Sequence, residues 1–193
     1  MTQAGKWLPV VSLMLLMLLL QIIGPEMFRY EIRLIRIDLQ WWRVLTGHWV
    51  HANWVHYLMN MTGFTLCLAL TGVSWKLWQW GWRILLLSLG ISAGLYLGHP
   101  DLGWYVGFSG VLFGLYVLAA VSSLHQQLVM SLILLLVIAG KIILEQWSSV
   151  NITTSDWIEV PVMVDAHLYG VLMAVALLFV QKLVKTVVTT LPN

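Results

Sequence analysis

Charge is scarce in this chain. Only 9% of residues are Asp, Glu, Lys or Arg, against 60% that are hydrophobic, and mean hydropathy is +0.87. A soluble domain carries roughly 25% charged residues. A soluble enzyme is therefore excluded, and an integral membrane protein with almost nothing left for a soluble domain is implied. Cysteine is nearly absent too. The single Cys67 allows no intrachain disulfide and no thiolate metal cluster, and its apolar setting reads as a small packing residue. The net charge of +2 is diffuse, so no nucleic-acid partner is suggested. Long linkers, low-complexity segments and internal repeats are also missing.

What is present is a series of apolar runs. A spanning helix needs about 20 apolar residues. The runs predict an all-α membrane protein, a single six-helix domain over 1–193, with spans at about 7–23, 54–72, 81–98, 108–125, 127–147 and 160–184. The first run follows Lys6 and lacks a small-x-small cleavage site, so it reads as a retained anchor. Residues 24–53 mix Arg29, Arg33, Arg36 and Arg43 with aliphatics and tryptophans. The helical spacing of Arg29, Arg33 and Arg36 suggests one basic face in a structured loop seated in the membrane interface; a solvated loop is the plainer alternative. Residues 73–80 read as a short turn. Gly90, Gly94 and Gly98 recur every fourth residue and predict close helix packing. Residues 148–159 form a polar run with Asn151, Thr153, Thr154, Asp156 and Glu159. Six spans put both termini on one side. Lys6, Lys76, Arg83, Lys182 and Lys185 then share it, which makes it cytoplasmic. The arginine-rich loop runs against this count, but all eight acidic residues fall on the other side or at its border.

Strongly polar groups inside a span are functional candidates by default. Here they are His56, Asn60, Ser109, Lys141, Glu145 and His167. Ser109 opens a helix within Gly107-Phe108-Ser109-Gly110, where free N–H groups and the helix dipole favour an oxyanion. Gly107 and Gly110 would let a substrate backbone approach. Small-residue helix packing explains the same pattern. Serine needs a base, which a neutral His167 can supply; a core histidine bonded to a carbonyl is the alternative. Asp165 is two residues away and points elsewhere on a helix, so a Ser–His dyad is expected rather than a triad. His56 and Asn60 are four apart on one helix face and suit an oxyanion, or merely interhelical packing. His51 reads as structural. Lys141 and Glu145, also four apart, read as an ion pair. No His-Glu-x-x-His and no mid-helix aspartate pair is present, which disfavours metallo- and aspartyl proteolysis. Together these residues predict peptide-bond cleavage inside a membrane, with no metal and no cofactor.

The set resembles the rhomboid family of intramembrane serine proteases. The resemblance rests on Trp42-Arg43, His51…His56…Asn60, Gly107-x-Ser109-Gly110 and Ala166-His167-x-x-Gly170, in order along the chain. It implies a six-helix fold, Ser109 and His167 as the catalytic dyad, and His56, Asn60 and the Ser109 N–H as the oxyanion hole. Within the family the chain is similar to rhombosortases, through residues 104–112, Lys141…Glu145-Gln146 and residues 166–170. That branch implies a bacterial inner-membrane protein whose site opens to the periplasm. Its substrates are membrane-anchored proteins with a GlyGly-CTERM tail: a Gly-rich motif, one spanning helix and a basic cluster. Phe113 is a departure. Many rhomboids have tyrosine there and rhombosortases often histidine; a phenyl ring can stack on His167 but offers it no hydrogen bond. Two rival functions stand beside this reading. One is a catalytically silent rhomboid-like binder of membrane clients, which serine-reactive phosphonate labelling would separate. The other is a histidine-based transporter using His48, His51 and His56, which metal analysis would separate.

Overall fold

The computed structural model describes residues 3–147 and 154–190. Asn151 and Thr153 of the polar run, and the short tail after Thr190, lie outside the described residues. The elements are α1 (Gln3–Ile23), α2 (Pro25–Phe28), α3 (Ile32–Arg36), α4 (Arg43–Thr46), α5 (Trp54–Thr71), α6 (Leu77–Gly98), α7 (Ser109–Ser123), α8 (Leu128–Trp147), α9 (Thr154–Ile158) and α10 (Val164–Thr190). Among the described residues the sole β pairing is an isolated antiparallel bridge, Tyr30 with Tyr105. By length and composition α6, α8 and α10 can cross a membrane, while α1 from Trp7 and α7 are apolar but shorter.

Local chemistry sets where the helices start and stop. The chain leaves α1 at Gly24, whose φ is 130°, followed by Pro25. Asn53 caps α5 by accepting the His56 N–H at 2.8 Å, which satisfies one of the orphan donors of the first turn. Left-handed Gly72 closes the same helix. α6 begins at Leu77 instead of about residue 81, because the Gln79 side chain reaches back to accept the Lys76 N–H at 2.8 Å, one half of a capping box. α10 begins at Val164 instead of about residue 160. Glu159 is left-handed (φ 58°) and Pro161 biases Val160 away from the helical region; residues 160–163 lie outside the helix. The helix then continues six residues beyond the expected end at 184.

The loop between α1 and α5 is ordered, but its arginines do not form one face. Arg29 lies outside α3 and pairs with Glu31 at 3.0 Å, whereas Arg36 stacks over Tyr96. Ile32 and Ile35 are buried beneath α3. Arg43 is buried as well, donating to the carbonyls of Glu26 (3.0 Å) and Arg29 (2.8 Å) and to the Gln40 side chain (2.6 Å). Burial lowers its pKa from the usual guanidinium value. Arg43 therefore folds the loop onto itself.

α7 is the axis of the molecule and packs against α5, α6, α8 and α10. It carries no charged residue. Two of its hydroxyls are satisfied on a neighbour: Tyr116 and Ser123 donate to the α5 carbonyls of Gly63 (2.8 Å) and Thr71 (2.7 Å). Phe108, Phe64 and Trp80 form a buried edge-to-face aromatic series at its base. The glycine stripe of α6 packs as expected. A methyl on Gly90 would strike Met173, and one on Gly94 or Gly98 would strike Tyr169. α6 and α10 thus meet with α6 backbone exposed to α10 side chains.

Candidate active site

Ser109 is the first residue of α7, and His167 lies in the first turn of α10. They meet because the two helices approach almost backbone to backbone. A methyl on Gly110 would lie 2.7 Å from the Ala166 carbonyl, and one on Gly114 would lie 2.8 Å from that of Gly170. A methyl on Gly170 would collide with the Gly110 carbonyl. This seam sets the Ser109 Oγ 2.8 Å from His167 Nε2. Gly110 therefore serves the helix contact, the small-residue packing that the sequence reading held as its alternative. Gly107 is committed too. Its φ is 126°, a region that side chains rarely adopt, and a methyl there would lie 2.8–2.9 Å from the His56 ring.

The Ser–His pair is not bare. Glu145 of α8 places Oε2 2.8 Å from His167 Nδ1, while its Oε1 pairs with Lys141 Nζ at 2.9 Å. A carboxylate only accepts, so Nδ1 carries the ring proton and Nε2 presents its lone pair to the serine hydroxyl. Phe113 stacks on the imidazole with centroids 4.5 Å apart and planes 13° from parallel. Asp165 points away, as helical geometry requires. It pairs with His99 at 2.9 Å and accepts from Gln146 at 3.1 Å.

Across the cleft, His56 and Asn60 share one face of α5, and both border the same cavity as Ser109 and His167. His56 Nδ1 faces the Ala52 N–H at 3.5 Å, which leaves the ring proton on Nε2. The Asn60 amide donates one N–H to the His56 carbonyl at 3.0 Å, and its second remains for a ligand. The cavity holds about 800 Å³, within the range of ligand sites, and its walls are mainly apolar.

His51 is fully buried. Its ring meets His56 edge-on at 5.1 Å, and its backbone is clamped by Gln21 of α1, which accepts from its N–H (2.8 Å) and donates to its carbonyl (3.0 Å). The role of Gln21 was not expected from the sequence. His48 Nε2 faces the Ser92 hydroxyl at 2.9 Å, and burial depresses its pKa to about 3. His51 thus packs against His56 at the cleft, while His48 is engaged with Ser92. Among the described residues no group of three His, Cys, Asp or Glu side chains is arranged to hold a metal. The segment before Ser109 is braced by Tyr105, whose hydroxyl donates to the Gly107 carbonyl at 2.9 Å, and by the Gly107 N–H, which donates to the Gly47 carbonyl at 3.1 Å.

No curated protein matches this chain. A family model described as the Rhomboid domain matches residues 38–182. That range is well over half of the chain and contains His56, Asn60, Ser109, Glu145 and His167.

Proposed function

Because the chain belongs to the rhomboid family, a family of intramembrane proteases, we propose that it is an active serine endopeptidase of the rhombosortase branch. The 2.8 Å contact between Ser109 Oγ and His167 Nε2, at the wall of a large cavity, is the observation that carries this reading. Ser109 attacks a scissile carbonyl as its proton passes to His167 Nε2. The oxyanion accepts from His56 Nε2–H, the free amide N–H of Asn60 and the Ser109 backbone N–H, with the α7 N-terminus adding its dipole. The imidazolium then protonates the leaving amine. A water molecule, activated by the same base, hydrolyses the acyl-enzyme and regenerates Ser109.

The substrate class is the one that the similarity to rhombosortases implies, and the chemistry is compatible with it. A continuous helix hides its carbonyls in its own hydrogen bonds, so the scissile segment must be extended. A glycine-rich motif beside a C-terminal spanning helix meets that need, as in GlyGly-CTERM proteins. In this reading α1, α5, α6, α7, α8 and α10 all cross a bacterial inner membrane. The termini are cytoplasmic and the cavity opens to the periplasm. In this reading water reaches Ser109 through the cavity.

The test uses a membrane-anchored reporter ending in Gly-Gly, a spanning helix and a basic cluster, reconstituted with the full chain. Wild type cuts near the glycines, and Ser109→Ala and His167→Ala lose at least about a thousandfold in rate. Phosphonate labelling of Ser109 without reporter cleavage would keep the peptidase and discard this substrate class. The absence of both labelling and cleavage would overturn the proposal.

A further inference from the structure

Resting on the peptidase reading, we infer that Glu145 is a positioning residue for His167, so that the site works as a Ser109–His167–Glu145 triad with Lys141 as the outer counterion. Three observations converge on this. Glu145 reaches His167 from a different helix, 22 residues away in sequence, so the contact does not follow from helical neighbourhood. Its side chain is only 9% exposed, whereas Lys141 is 45% exposed. A carboxylate that merely paired with Lys141 would gain by following it outward, since burying an ionised group is costly unless it is fully partnered. Glu145 instead stays inside, with each oxygen held by a different partner.

The third observation is the nature of the other contact on the imidazole. Phe113 stacks on the ring face and fixes its plane. Stacking is nevertheless indifferent to a half-turn of the ring about Cβ–Cγ, which exchanges Nδ1 with a carbon and moves Nε2 off the serine. A hydrogen-bond acceptor beside Nδ1 is not indifferent. It favours the ring orientation and the tautomer in which Nε2 can take the Ser109 proton. Asp165 cannot serve, being engaged with His99 and Gln146. Glu145 touches neither substrate nor the reacting oxygen and acts only through His167.

The experiment compares wild type, Glu145→Gln, Glu145→Asp, Lys141→Met and Ser109→Ala in the full reconstituted chain. It reads kcat and KM on the reporter, the rate of phosphonate labelling of Ser109, and the His167 tautomer by ¹⁵N NMR with histidine labelling. A glutamine can turn its amide N–H toward Nδ1 and so favour the opposite tautomer. Glu145→Gln is expected to lower kcat and the labelling rate by about a thousandfold or more with KM within twofold, and to move the His167 proton from Nδ1 to Nε2. Glu145→Asp recovers at least tenfold over Gln, and Lys141→Met loses less than tenfold. Glu145→Gln retaining kcat within threefold of wild type would overturn the inference, as would wild-type His167 carrying its proton on Nε2. If wild type neither labels nor cuts, the peptidase reading fails, and the tautomer alone then decides whether Glu145 orients the ring. If Glu145→Gln does not fold, the wild-type tautomer and the Glu145→Asp rates decide.

Discussion

α10 and α8 both lean on α7 and both deliver a side chain to the same imidazole environment, but they are held by different forces. α10 meets α7 through Gly110, Gly114, Ala166 and Gly170, and a methyl on any of the three glycines would run into a backbone carbonyl of the facing helix. α8 buries only Ser131, Leu134, Ile138 and Ile142, and Leu136, Val137 and Trp147 are exposed. Near the cleft its attachments to α10 are polar, through Glu145 to His167 and Gln146 to Asp165. A close-packed seam has one geometry, because small shifts forfeit dispersion contacts along its whole length. A helix held by a few hydrogen bonds has more freedom. The contact between Ser109 and His167 is therefore set by rigid packing, and in the inferred triad the orientation of the imidazole is set by a looser element.

The comparison breaks most sharply at Gly170. Gly170→Ala adds a methyl that collides with the Gly110 carbonyl, which is backbone and cannot rotate away. Overpacking of this kind costs about 2–3 kcal/mol, and misplacing reacting groups by about 1 Å costs about a hundredfold in rate. Thermal unfolding in detergent and reporter cleavage measure both, and an unchanged melting temperature with unchanged turnover would deny that the seam is tight. A smaller effect is expected from Gln146→Ala, which removes the 3.1 Å amide contact to Asp165. The loss should be below about 1 kcal/mol, with cleavage reduced no more than threefold; a loss as large as that of Gly170→Ala would place α8 in the rigid class. The smallest effect should come from Gly140→Ala on α8. A methyl there meets nothing within 4 Å, so the helix should gain about 0.5–1 kcal/mol from reduced backbone freedom with activity unchanged. Destabilisation at Gly140 would reveal a hidden contact on this face.

Much of the fold was legible because a membrane helix announces itself by its apolar run. The start of α6 was misplaced because Trp75, Trp78 and Trp80 read as an interfacial turn, while the Gln79 cap that begins the helix at Leu77 is a single polar residue among them. Ser109, His167, His56 and Asn60 stood out as polar groups in apolar runs, and the structure brings all four to one cavity. The contact between Glu145 and His167 was hidden by a sufficient local explanation. Lys141 lies four residues earlier and does form the expected ion pair, but a carboxylate has two oxygens, and nothing in the spacing along α8 says where the second one points. Gly110 illustrates the converse. Its smallness was visible, yet only the position of Ala166 decides whether that space belongs to a substrate or to the neighbouring helix.

In the proposed mechanism Ser109 is the nucleophile and His167 its base; touching in the folded chain, they are separated by 58 residues in sequence, and the base comes second. A ribosome adds about 5–20 residues per second, so Ser109 is made roughly 3–12 s before His167 exists to deprotonate it. Throughout that interval the growing polypeptide is chemically silent, and it gains reactivity only when α10 takes its place against α7. In the peptidase reading, the enzyme is thereby kept from cutting until α10 is in position.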